Sequence, residues 1–137
     1  MFKPKKNKKT SSRHILFAID SLGGRGAEKV VINLSEELLK LGHLVSFVIY
    51  ENIIEFDIDP RVNVYKLNPL IHAGSRIFSR LTDYKNVNLF NLLLSNIEKQ
   101  YGVVDIIFSS LPRMDRILSL IKSDRIYHII GNPLSLQ

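Results

Sequence analysis

The 137-residue chain has no cysteine. That excludes a disulfide scaffold, a thiolate metal site and a cysteine nucleophile, and it fits a reducing compartment. No stretch reaches the roughly 18 apolar residues that a membrane-spanning helix requires. The basic start of the chain runs into a strand-like segment with no apolar signal region between them, so a secretory signal peptide is not expected. There is no P-loop pattern G-x-x-x-x-G-K-[ST]. Internal repeats and low-complexity linkers are absent from the body of the chain. His14, His72 and His128 show no metal-ligand spacing, so each reads as a packing or surface histidine and no metal site is expected. What is present is a patterned apolar content of 45%, in a chain long enough to bury one core.

The formal net charge of +6 is unevenly placed. Lys3, Lys5, Lys6, Lys8, Lys9 and Arg13 stand in the first thirteen residues with no acid among them. Without those six, 13 basic residues face 13 acidic ones. Residues 1–13 therefore read as a basic, disordered tail on a neutral domain, 14–137. A nucleic-acid site needs basic residues spread over a folded face, and no such pattern is seen. Attraction of the tail to anionic lipid headgroups is the functional alternative to a merely solvated tail.

Strand and helix signals alternate. "HILFAI" (14–19) reads as a buried strand. A helix follows over about 25–41, with Ala27, Val30, Val31, Leu34, Leu38 and Leu41 on one face and Glu36, Glu37 and Lys40 off it. Gly42 ends it. "LVSFVIY" (44–50) and "NVYKL" (63–67) are the second and third strands. Residues 69–85 read either as a short helix or as a mobile loop. A firmer helix covers about 86–100, with Val87, Phe90, Leu93, Leu94 and Ile97 inward, and Gly102 closes it. "VVDIIFS" (103–109) is a fourth strand. A helix over 112–123 follows, with Pro112 in its first turn, where a missing N–H costs nothing. "RIYHII" (125–130) is a fifth strand. Apolar strands alternating with helices predict an α/β, Rossmann-like, doubly wound parallel sheet covered on both faces.

"SLGGRGAEKV" (21–30) lies between the first strand and the first helix. In open α/β sheets ligands bind beyond the carboxyl ends of the strands. A helix N-terminus there attracts phosphate through its free N–H groups and its dipole. Glycine adds access to positive φ and removes the Cβ from a ligand's path. A tight turn with no ligand is the plain alternative. A dinucleotide fingerprint G-x-G-x-x-G would start on Gly24 and Gly26, but Lys29 holds the third position.

The longer stretch "LGGRGAEKVVINLSEELLKLGHLVSFVIY" resembles the opening of a GT-B glycosyltransferase of the retaining, family 4-like group. Gly23, Gly24, Ala27, Glu28, Lys29, Leu34, Leu38, Gly42, His43 and Val45 match its strand, glycine turn, helix and "G-H-x-V" in order. The turn carries one residue more than the common "GGAE" form. "VVDIIFSS" resembles a later "P-D-I-I" strand, with Val104 in place of proline. "HIIGNP" resembles the strand end at which many members carry His-Asn or Arg-Asn. Here the pair is Gly131-Asn132, so no catalytic histidine carries over. The resemblance runs from about residue 14 to the end, and matches only the first half of such an enzyme.

The resemblance implies the N-terminal, acceptor-side half of a two-domain transferase. It would move a sugar from a nucleotide-sugar donor to a glycan or lipid-linked acceptor of the cell-surface polysaccharide or lipopolysaccharide type. The C-terminal, donor-binding domain lies outside these residues, so activity is expected to need that domain or a partner chain. Gly23, Gly24, Arg25 and Gly26 would face the donor phosphate, with no metal or other cofactor. Backbone N–H groups there would stabilise the charge growing on the leaving diphosphate. Arg25 either adds a charge-assisted contact or faces solvent. Asp20 is a weak catalytic candidate, read first as an acceptor for loop N–H groups. Glu28 reads as a structural carboxylate in a first helical turn, and His43 as structural. Ser109, Ser110 and Asn132 are acceptor-binding candidates by topology. Residues 70–85 put His72, Arg76, Arg80 and Lys85 beside Ile71, Ile77, Phe78 and Leu81. That mix suits an amphipathic helix, an acceptor flap or a membrane-surface contact. The expected location is cytoplasmic, with peripheral contact at the inner face of a membrane. Two other classes stay open: a non-catalytic subunit that pairs with a donor-binding chain, and a nicotinamide- or flavin-binding domain.

Overall fold

The structure is a computed structural model that describes residues 11–24, 26–69 and 76–129. Five strands form one parallel sheet: β1 (His14–Ile19), β2 (Leu44–Ile49), β3 (Asn63–Lys66), β4 (Ile106–Ser110) and β5 (Ile126–His128). The order across it is β3-β2-β1-β4-β5. The helices are α1 (Gly26–Lys40), α2 (Arg76–Tyr101) and α3 (Pro112–Leu118). The chain builds outward from β1 to β3, then returns to the other side of β1 for β4 and β5. Strand order reverses between β1 and β4, the point where open α/β sheets leave a crevice.

β1 is buried throughout, because each of its faces carries a different core. Ile15, Phe17 and Ile19 pack with Val31, Ile32 and Leu39 of α1 and with Val45, Phe47 and Ile49 of β2. Leu16 and Ala18 point the other way, to Phe90, Leu94 and Ile97 of α2 and Met114, Ile117 and Leu118 of α3. Side chains alternate across a strand, so an unbroken apolar run is the pattern a doubly covered strand requires. Phe17 sits edge-on to Phe47 and stacked on Phe108, each with ring centroids 5.5 Å apart. β3 and β5, at the edges, are only half-buried or exposed.

The predicted helix ends are met with specific geometry. After α1, Gly42 has φ 90°, and its N–H donates to the Leu39 carbonyl at 3.0 Å. The His43 N–H donates to the Leu38 carbonyl at 3.1 Å, completing a Schellman motif. Gly102, with φ 98°, donates to the Glu98 carbonyl at 2.9 Å and closes α2. His14 is a packing histidine, held by the Gly102 carbonyl at 3.0 Å and the Ser46 hydroxyl at 2.8 Å. Ser12 and Arg13 are tied to the same end of the sheet. The Ser12 hydroxyl donates to the Gly42 carbonyl at 2.8 Å, and the Arg13 N–H to His43 Nδ1 at 3.0 Å.

Several sequence expectations are corrected. The buried face of α1 is Glu28, Val31, Ile32, Ser35 and Leu39. Val30, Leu34 and Leu41 are 63%, 40% and 72% exposed. The helix is apolar over so much of its circumference that spacing fits two stripes, and the sheet selects the one that meets Phe17 and Phe47. β4 starts at Ile106 rather than 103, because the Val104 N–H is taken by the Glu98 carboxylate at 2.8 Å. α3 stops at Leu118 rather than 123, where Leu120 and Ile121 turn tightly back onto the Ile117 and Leu118 carbonyls. α2 extends back to Arg76, so of the ambiguous 69–85 segment residues 76–85 are helical. Residues 70–75, with Ile71 and His72, lie outside the described residues. Among the described residues no helix is long and apolar enough to cross a membrane.

Phe17→Ala removes the ring that joins three strands and is expected to cost about 3–5 kcal/mol, read as a lower denaturant midpoint. Tyr65, on β3, has its phenol pushed up to about 12, first by burial and then by hydrogen bonding with Tyr101. The folded chain thus holds this proton above the ordinary value of 10.0. That contribution to stability is full below pH 10.0 and falls as pH rises toward about 12. Tyrosinate absorbance in the folded chain should show one late-titrating phenol, which Tyr65→Phe removes.

Candidate functional site

A cleft of about 610 Å³ opens at the carboxyl ends of β1, β2 and β4. Asp20, Ser21, Gly23 and Gly24 come from the turn after β1, and Ala27 and Glu28 from the first turn of α1. Glu51, Ile53 and Glu55 follow β2, and Leu111, Pro112 and Arg113 follow β4. Parallel pairing continues past β1 and β2 and sets the register of the cleft. The Glu51 N–H donates to the Asp20 carbonyl at 2.7 Å. The Leu22 N–H donates to the Ile53 carbonyl, and the Glu55 N–H to the Leu22 carbonyl, both at 2.8 Å. Glu51 is thereby carried beside Asp20, and Glu55 beside the glycines.

Asp20 serves as the N-terminal cap of α3. Leu111, at the cap position, makes no side-chain hydrogen bond. Instead the Met114 N–H donates to Asp20 Oδ1 at 2.7 Å and the Arg113 N–H to Oδ2 at 3.1 Å. These are the orphan donors that a helix start must satisfy, and the carboxylate also meets the positive end of the helix. Leu111 holds φ 76° and ψ 150°, a region almost confined to glycine and costing on the order of 1–3 kcal/mol. The strain lies on the cleft wall, where β4 hands over to α3. Arg113 Nη2 donates to Glu51 at 2.8 Å, and its Nε lies 3.4 Å from Asp20. The guanidinium also sits 4.8 Å from the centroid of the Tyr50 ring. The hydrogen bond to Glu51, with that to Asp20, holds its pKa above the usual arginine range.

The glycine loop differs from its expected conformation. Among the described glycines only Gly42 and Gly102 take positive φ, so Gly23, Gly24 and Gly26 are not there for left-handed backbone. At Gly26 an added Cβ would meet nothing within 4 Å. At Gly24 it would stand 3.1 Å from Glu55 Oε1. That carboxylate accepts the Gly24 N–H at 2.7 Å, so an anion from the chain itself occupies this donor. The Gly23 N–H lies 3.3 Å from the Ser21 hydroxyl.

A scan of the chain against protein-family models gives no match, and a search of curated proteins gives none.

Of the residues singled out in the sequence, the structure brings Asp20, Gly23 and Gly24 together on the cleft. Gly26 opens α1 beside them. Ser109 and Ser110 end β4 but are buried and do not line the cleft. Ser109 donates to Asp115 Oδ1 at 2.5 Å, and the same oxygen lies 3.0 Å from His128 Nδ1. The carboxylate stands between hydroxyl and imidazole, so this trio lacks the serine-to-histidine contact that nucleophile activation needs. Arg25 and Asn132 lie outside the described residues. Among the described residues no three His, Asp or Glu side chains are placed to share a metal ion. Sequence reasoning missed Glu51, Glu55 and Arg113. The signal was topological: each follows the carboxyl end of a strand beside β1.

Asp20→Ala leaves two N–H groups at the start of α3 without an acceptor. It is expected to destabilise the fold by about 1–3 kcal/mol. Asp20→Asn, which keeps one oxygen acceptor, should lose less. Chemical denaturation of the two variants measures both.

Proposed function

We propose that this chain is the acceptor-binding half of a sugar transferase, taking a glycan or lipid-linked glycan in the cleft at the β1/β4 switch point. The observation that carries the reading is the lining: among the described residues, four carboxylates, from Asp20, Glu28, Glu51 and Glu55, converge with Arg113 on a crevice beside a glycine turn. Carboxylates accept hydrogen bonds from hydroxyl groups, and a sugar offers a dense array of such donors. The resemblance of "LGGRGAEKVVINLSEELLKLGH" to the glycosyltransferase opening supports the same reading. In it the nucleotide-sugar donor is held mainly by a second domain or chain, and the protein acts in the cytoplasm, at the inner membrane face when its acceptor is lipid-linked.

The donor diphosphate reaches this domain at the turn formed by Gly23, Gly24, Arg25 and Gly26. Glu55 caps the Gly24 N–H before the diphosphate arrives, and must move aside for it. A resident nicotinamide or flavin dinucleotide is disfavoured by Lys29, which holds the third position of the G-x-G-x-x-G fingerprint.

Backbone-amide NMR of the 137-residue chain tests the reading. Neutral mono- and oligosaccharides should shift the Gly23, Gly24 and Glu51 resonances in a saturable way, whereas nicotinamide and flavin dinucleotides should not. Glu55→Gln should strengthen binding of a nucleoside diphosphate by about three- to tenfold, the scale of one charge-assisted contact. Dinucleotide binding with no saccharide response would reverse the assignment.

A further inference from the structure

We propose that the ligand of this cleft carries a protonated amine, and that Glu28 is its counter-ion. Glu28 is 3% exposed, lines the cleft, and its Oε1 is buried with no hydrogen-bond partner. A carboxylate in a first helical turn is favourable at the surface, but nothing in that role requires burial. A buried polar atom without a partner is unfavourable, so the position calls for a donor that the described residues do not supply.

The neighbouring carboxylates are already answered. Asp20 accepts from the N–H groups of Arg113 and Met114. Glu51 is paired with Arg113. Glu55 accepts from the Gly24 N–H. Among the described residues that line the cleft, Glu28 Oε1 is the one buried side-chain oxygen with no hydrogen-bond partner, in surroundings where those residues hold four formal negative charges and one positive. A hydroxyl gives one hydrogen bond and leaves the charge as it was. An ammonium group gives three donors, needs no acceptor and neutralises one carboxylate. That chemistry matches the cleft better than a neutral sugar does. It also lowers the charge that a diphosphate meets on approaching the glycine turn.

The inference deepens the proposed function and rests on it only in calling the ligand a sugar, hence an amino sugar; the demand for an amine comes from the cleft itself. Amide NMR titrations of the full chain with glucosamine, N-acetylglucosamine and ethylamine separate the two. Glucosamine is expected to shift Gly23, Gly24 and Glu28 and to bind at least about tenfold more tightly than N-acetylglucosamine, whose nitrogen carries no charge. Glu28→Gln, nearly equal in volume, should abolish that preference while keeping the fold. If that variant does not fold, a pH series on the unaltered chain serves instead. Raising the pH until the amine of glucosamine loses its proton should weaken its binding and leave N-acetylglucosamine unchanged, because only the ammonium form is charged. Equal affinity for the two sugars, or no such pH dependence, would overturn the amine and leave the saccharide reading intact. Ethylamine binding at Glu28 with no sugar response would keep the amine and overturn the sugar. No response to any of the three would overturn both.

Discussion

The carboxylate of Asp20 is the joint on which the cleft depends. It leaves the end of the most buried strand and takes up the N–H groups of Arg113 and Met114. The helix after β4 is thereby fixed to the strand beside it, across the place where strand order reverses. α3 has only seven residues and no cap of its own, so its start is held by tertiary contact rather than by local sequence. The strained backbone at Leu111 lies immediately before it. Arg113, drawn to Asp20, then reaches Glu51. One acid thus orders the walls contributed by β1, β2 and β4.

Charge gives the cleft its character. A glycine turn at a helix N-terminus ordinarily invites an anion, yet here Glu55 supplies one from within the chain, at 2.7 Å from the Gly24 nitrogen. Parallel pairing beyond β1 and β2 brings it there, through the Leu22 and Ile54 bridge. The site is therefore an acidic crevice with its amide donor capped, and its open demand is for hydrogen-bond donors. Glu28 expresses that demand most directly, because its Oε1 is buried with no hydrogen-bond partner among the described residues.

Much of the architecture was legible along the chain. β1 read as a buried strand because its apolar run is unbroken, and the glycines at 42 and 102 marked helix ends that the structure meets with positive φ. The inward positions Phe90, Leu94 and Ile97 of α2 followed from spacing. The face of α1 did not. Val30, Leu34 and Leu41 satisfy the same period as Val31, Ile32 and Leu39, and a one-dimensional pattern cannot say which stripe meets the sheet. Of the site, Asp20 and the glycine turn were visible because they sit at a strand end by local order. Glu51, Glu55 and Arg113 were not, since their meeting depends on which strands become neighbours.

By itself the amino-acid order determined the elements, the parallel α/β class and the position of the glycine turn, because periodicity, helix stops and turn residues act over a few neighbouring positions. Only the tertiary structure decided the strand order β3-β2-β1-β4-β5, the buried stripe of α1 and the partners of each carboxylate. Those depend on residues 31 to 94 positions apart, such as Gly24 with Glu55 and Asp20 with Met114. Such contacts form only once β1 lies between β2 and β4, and that placement is a property of the packed sheet rather than of any local segment.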